Sequence, residues 1–247
     1  DRVTSTITYG HGYASYFIDW AEKLAGTTFS LPDESLELIV DFFLDGISKT
    51  MAYGRYPDPG ARNRGVTRLG ALNPQSPYLP EKLLKVTSYR QDELKALAAI
   101  RRGERDPDLR SNTFFWHTEY ASHQRPDYFM SIRMFSSRNH SVEIPYNSEG
   151  LKSHHMADGY TFITRTGGEY QHIFPVWDWQ KIPGTTVVQK PALPEPDHMQ
   201  QRGLTDFVGG VSNGLYGAVA FIPGPALPGL DGPPRPWHGA GAGRAAV

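Results

Sequence analysis

The stretch RNRGVTRLG, residues 62 to 70, sets Arg62, Arg64 and Arg68 within seven positions, with a glycine between the last two. Guanidinium groups stay protonated and fork onto carboxylates, so such a cluster can hold an acidic group or favour an anion developing beside it. The same arginines can equally be solvated loop charges paired with surface acids. A second chemical possibility is raised by the nine histidines. His154 and His155 are adjacent, and on a strand neighbouring side chains point to opposite faces, so the two do not readily grip one ion. His117, His123, His140 and His172 lack ligand-like spacing and no HExxH pattern occurs, so no metal or other cofactor is expected. Trp177 and Trp179 in FPVWDWQKIPG either stack on sugar rings or are aromatics of a sheet core or rim.

Composition narrows the partners. The formal charge of −1 over 247 residues argues against a nucleic-acid binder, so the arginines are a local device. Without cysteine there is no disulfide framework, thiolate nucleophile or cysteine zinc site. No apolar run approaches the ~18 residues of a membrane span, and no signal peptide is recognisable, so no membrane partner is expected. Asp1 does not read as a translational start. Oligomeric state is not legible.

The elements that must position these residues change character along the chain. In GYASYFIDWAEKLAGT, Tyr13, Tyr16, Phe17, Trp20 and Leu24 recur at helical spacing, with Gly26 as a stop. PDESLELIVDFFLDGISKTM predicts a second helix with Pro32, Asp33 and Glu34 at its start and Leu36, Ile39, Val40, Phe43 and Ile47 as its apolar stripe. Residues 53 to 77, which carry the arginines, read as a long ordered loop. RQDELKALAAIRRG predicts a further helix ending near Gly103. After Asp106 the period becomes two: DYFMSIRMFSS and GYTFITRT alternate, and NTFFWHTEY and GLYGAVAF join them as strands of an antiparallel sandwich-type sheet. Residues 222 to 247 are nearly half glycine plus proline and read as an irregular or disordered tail, with the composition of a frame-shifted translation of GC-rich DNA.

Taken together these segments resemble polysaccharide lyase family 8, the bacterial chondroitin AC, hyaluronate and xanthan lyases. The resemblance is carried by SSR at Ser136 to Arg138, then Glu143, Asn147, Glu149, Asp158-Gly159 and WDWQKIPGTT at 177 to 186. Upstream, YGHGYASYFIDWAEKLAGT and GARNRGVTR are similar to the family's YG-containing helix start and its RGxSR loop, and GGVSNGLYGAVAF is similar to a later strand pair. It covers roughly residues 1 to 221, in order.

The resemblance implies an α+β fold, the C-terminal part of an (α/α) toroid over residues 1–105 followed by the first part of an antiparallel β-sandwich over 106–221. It implies β-elimination on a uronic-acid-containing polysaccharide, and with it a secreted or periplasmic protein. Such a reaction removes the proton at sugar C5 and expels the C4 oxygen, so a base, an acid and neutralisation of the uronate carboxylate are needed. Tyr9 matches the family's catalytic tyrosine, Arg64 and Arg68 the two arginines of the RGxSR loop, and Asn147 the asparagine that lines the cleft. Glu143 matches the acid that orients an arginine, with one more residue between it and Asn147 than in the family. The arginines are then expected to favour the phenolate of Tyr9, whose free pKa is ~10, and to hold acidic substrate. Read without the resemblance, Tyr9 is a core aromatic at a helix start. The family's catalytic histidine falls immediately before Asp1, and its carboxylate-neutralising asparagine and aromatic patch lie further upstream. An internal fragment with little or no activity alone is therefore expected. The rival reading is a non-catalytic carbohydrate-binding or scaffold module.

Overall fold

The computed structural model describes residues 6–222. The expected irregular tail falls, from residue 223 on, outside the described residues. A π-helical turn, Thr6–Gly10, runs into α1, His11–Leu24. Helix α2, Asp33–Asp41, continues as a π-helical segment to Ile47 and a 3-10 turn to Thr50. Pro32 precedes its first residue and Asp33 and Glu34 occupy its first turn, where acids meet the unpaired N–H groups. Its predicted stripe is buried as a whole: Leu36, Ile39, Val40, Phe43 and Ile47.

Helix α1 packs on a different face from the one expected. Ala14, Ile18 and Ala21 are buried, whereas Tyr13, Tyr16 and Trp20 are 62%, 73% and 57% exposed. Both faces have helical spacing. The face with the smaller side chains is the one that lies against the core.

Helix α3, Tyr78–Val86, is an element that the sequence reading leaves unassigned. Pro80 sits in its first turn, where no backbone N–H is required. Lys82 pairs with Asp19 and Glu22 of α1 at 2.7 Å each, and Leu79 and Leu83 enter the same core as Ile18 and Phe43. Helix α4, Gln91–Arg102, ends where predicted, with Gly103 at φ 77° as its left-handed cap.

Residues 51 to 77 are ordered. The short strands β1, Met51–Ala52, and β2, Tyr56–Pro57, pair antiparallel and lead into two 3-10 turns, Pro59–Ala61 and Asn63–Thr67. The second turn carries Arg64.

The remaining strands form two antiparallel groups. Strands β3, Ser111–Phe115, β4, Tyr120–Arg125, β5, Tyr128–Arg133, and β6, Tyr160–Thr164, make a four-stranded sheet in sequence order. Strands β7, Val208–Ser212, and β8, Gly217–Phe221, make a ribbon packed on β3. The predicted alternation holds in β5, where Phe129, Ser131 and Arg133 are buried and Tyr128, Met130 and Ile132 only partly so. His154 and His155 are not on a strand. They lie in a 3-10 turn, Ser153–His155, with their rings edge to face at 4.6 Å.

The arginine-bearing segment is fastened to the sheet by a buried carboxylate. Asp58 accepts hydrogen bonds from Tyr120 of β4 (3.1 Å), Ser131 of β5 (2.8 Å), Tyr160 of β6 (2.9 Å) and the backbone N–H of Gly60 (3.1 Å). Arg133 donates to the carbonyls of Gly60 and Ser141, so one buried guanidinium spans the segments that lead to Arg64 and to Glu143. Gly60 passes so close to the hydroxyl of Tyr160 that any side chain there would overlap it.

Candidate active site

Tyr9 is presented by the π-helical turn at the entrance to α1 and is 60% exposed, which excludes the core-aromatic reading. The turn is held from below by Arg62, whose Nη1 donates to the carbonyl of Ile7 at 2.6 Å. Arg64 Nη2 donates to the hydroxyl of Tyr9, also at 2.6 Å.

Arg64 is held chiefly through its two terminal nitrogens. Its Nη1 is ion-paired to Glu143 Oε1, and its Nε lies 3.7 Å from Glu149 Oε2. The rings of Tyr9 and Tyr146 flank the guanidinium with centroids 5.6 and 5.8 Å away. Glu143 is itself oriented by Asn63: Asn63 Nδ2 donates to Glu143 Oε2 at 2.7 Å, and the backbone N–H of Glu143 donates to Asn63 Oδ1 at 3.2 Å. Asn63 adopts φ 52°, and the facing turn has Asn147 at φ 54°, Ser148 at φ 60° and Gly150 at φ 72°. Left-handed backbone thus occurs on both segments that meet here. Gly150 is required on spatial grounds too, since a Cβ there would lie 2.8 Å from the Cβ of Arg64.

The second arginine is engaged differently from expectation. Arg68 forks onto Glu149, Nε at 2.5 Å and Nη2 at 2.8 Å, so its bidentate face meets a protein carboxylate and is not open to an acidic substrate. That contact holds the Glu149 carboxyl below, and the Arg68 guanidinium above, its ordinary value. Three guanidiniums, Arg62, Arg64 and Arg68, meet two carboxylates, Glu143 and Glu149, which leaves one positive charge in excess beside Tyr9. Burial, and secondarily Arg68, brings Arg62 down to about 10.

Asn147 lies at the exposed tip of the Tyr146–Glu149 turn, joined to the cluster through Tyr146 and Glu149. Of the five residues expected to form the site, Tyr9, Arg64, Arg68 and Glu143 line a common cavity of about 280 Å³, and Asn147 does not. His11 lines it as well and was not anticipated. Burial, then Arg101 and Arg62, lowers His11 to about 4, so its imidazole is neutral near pH 7. Its only sequence signal is its place in TYGHG, two residues after Tyr9. Trp179 is 6% exposed and packs with Trp177 and Phe174, which makes it a core aromatic, and the partly buried Trp177 packs against the same cluster.

Among the described residues no cluster of His, Asp and Glu has the geometry to hold a metal ion, and no helix is long and apolar enough to cross a membrane. The arrangement offers a solvent-reachable phenol, a fixed cation on its oxygen and a neutral imidazole in one cavity. Those are groups suited to moving a proton next to a developing anion.

Comparison with known proteins gives a consistent result. Residues 110–222 match the super-sandwich domain of polysaccharide lyase family 8. Chondroitinase-AC of Pedobacter heparinus is 32% identical over 229 residues, covering 85% of this chain and 31% of the relative. A solved chondroitinase AC lyase, studied as enzyme-oligosaccharide complexes, superposes with a TM-score of 0.76 at 29% identity over 86% of this chain and 32% of its own. The Streptomyces coelicolor A3 chondroitin AC lyase, solved with chondroitin sulphate, shares the fold with a TM-score of 0.71 at 21% identity, covering 89% of this chain and 36% of its own. The chain therefore spans about a third of the length of these relatives, and the resemblance to family 8 read from the sequence is borne out.

Proposed function

We propose that this chain, similar along its length to family 8 lyases, is the part of a polysaccharide lyase that carries the tyrosine and arginines of a β-elimination on an acidic polysaccharide. Residues 1–105 are on this reading the toroid portion and residues 106–221 the sandwich portion, with the cavity at their junction. Secretion follows from the substrate, a polymer found outside cells.

The observation that carries the reading is the 2.6 Å contact between Arg64 and the hydroxyl of Tyr9, with Arg64 itself locked by Glu143. Tyr9 takes the proton from C5 of the uronate. The C5–H electron pair forms the C4–C5 double bond, the C4–O4 bond breaks, and the proton passes to the departing O4. Negative charge grows on the uronate as the C5 proton leaves. Arg64, on the Tyr9 oxygen, faces it directly, and the net positive charge of the arginine cluster adds to the stabilisation of the transition state. Glu143 and Glu149 hold the arginines where that charge develops.

Incubation with chondroitin, hyaluronan and xanthan, followed by ultraviolet absorbance of the unsaturated product, tests the reaction. Weak or no turnover is expected of the 247 residues alone. Turnover is expected once residues 6–222 replace the matching segment of the Pedobacter heparinus chondroitinase-AC. A chimera that folds, binds chondroitin and yields only saturated products would refute the reading.

A further inference from the structure

A second cavity, of about 500 Å³, lies among the loops that follow β5 and β6 and shares no lining residue with the Tyr9 cavity. It forms where residues 201–205 fold back along residues 136–141, joined by backbone bonds from Ser141 to Gln201 and from Ser137 to Thr205, 2.8 Å each. Its volume is that of a small-molecule site.

The lining has two kinds of surface. Phe135, Val188 and Leu204 give it apolar wall, while Gln201 and the two imidazoles of the Ser153–His155 turn give it polar groups. Lys190 and Arg202, both exposed, bring two positive charges that no carboxylate among the described residues neutralises, Arg202 reaching only the carbonyl of Ser137 at 3.3 Å. Asp158, the acid of the lining, is already engaged by His155 Nδ1 at 2.6 Å. His154 is buried and its Nδ1 meets the carbonyl of Met199 at 3.3 Å. Burial, then the neighbouring His155, keeps it below the usual histidine value. Its ring is a neutral hydrogen-bonding group.

An apolar wall, neutral hydrogen-bonding groups and a cationic rim match the three parts of an acidic sugar: its C–H face, its hydroxyls and its anionic substituent. We propose that this groove is a second saccharide site that takes one carboxylated or sulfated sugar unit. It draws its ligand class, though not its chemistry, from the function proposed above. A polymer held at two sites on one chain gains affinity through effective concentration without any new contact at the reacting bond.

The test is a ¹H–¹⁵N NMR titration of the 247-residue chain with a chondroitin 4-sulfate tetrasaccharide, an uncharged cellotetraose and inorganic sulfate at matched ionic strength. The tetrasaccharide is expected to shift the amides of Lys190, Gln201 and Gly203 saturably, and cellotetraose and sulfate are not. Joint Lys190→Ala and Arg202→Ala substitution, at two exposed positions, is expected to weaken that response at least about tenfold, since each lost charge-assisted contact is worth a factor of that order. Tyr9→Phe is expected to leave it unchanged. Saturable shifts absent from these amides, an affinity untouched by the double substitution, or the same shifts from sulfate or cellotetraose would overturn the site. Because Tyr9→Phe and product formation are read separately, failure of the lyase reading leaves the groove result standing, and the reverse.

Discussion

Tyr9 Oη and Arg64 Nη2 lie 2.6 Å apart although they are 55 positions apart in sequence. What brings them together is a relay. Asp58 pins the arginine segment to three strands, Arg133 ties it to the loop at Ser141 that leads to Glu143, and Glu143 grips Arg64.

Glu143→Ala should therefore release Arg64 and leave the buried guanidinium with Glu149 as its nearest acid. Breaking a partly buried pair on one side is expected to cost about 1–3 kcal/mol, less than for a fully buried pair because Glu143 retains some exposure. Urea unfolding of the two proteins side by side measures it. A change within about 0.5 kcal/mol would show that the pair is not what holds Arg64.

The Asp58 node predicts a pH dependence. Burial raises the carboxyl to about 6, against the opposing pull of its four donors. The folded chain thus holds a proton that the unfolded chain, with an ordinary carboxyl near ~3.9, has released. By linkage the contribution to stability is fully present below about 4 and is lost as pH rises through about 6. Compared with Asp58→Asn, the wild-type chain should lose up to roughly 3 kcal/mol between these limits. Denaturant melts at intervals from pH 4 to 7 check this; parallel curves for the two proteins would contradict it.

His11 gives the opposite sign. Its folded value of about 4 lies below that of a free imidazole, so stability is present above about 6.5 and falls as the pH drops through 4. Side-chain NMR should find its titration midpoint near 4, and a midpoint at 6 or higher would show that burial, with Arg101 and Arg62 nearby, does not keep it neutral.

These features differ in how far the sequence discloses them. The α2 stripe was legible because Leu36, Ile39, Val40, Phe43 and Ile47 offer a single apolar face. Helix α1 has two, and period alone does not say which is buried: Ala14, Ile18 and Ala21 win because small side chains allow α3 to approach. Helix α3 was hidden by Pro80, a helix breaker except in the first turn that it occupies. Tyr9, Arg64 and Arg68 could be linked only through the order of segments that resembles family 8, since nothing local joins a tyrosine to an arginine two helices away. The pairing of Arg68 with Glu149, and the cationic groove at Lys190 and Arg202, depend on how distant loops fold together, which no local pattern encodes.

The most direct test of the central claim is the rate of β-elimination on chondroitin by the Pedobacter heparinus chimera and by its Tyr9→Phe variant, with oligosaccharide binding measured on both. Loss of one proton-transferring group should lower kcat by at least about 10²-fold while binding changes little. A Tyr9→Phe chimera that turns over at the parent rate would contradict the account.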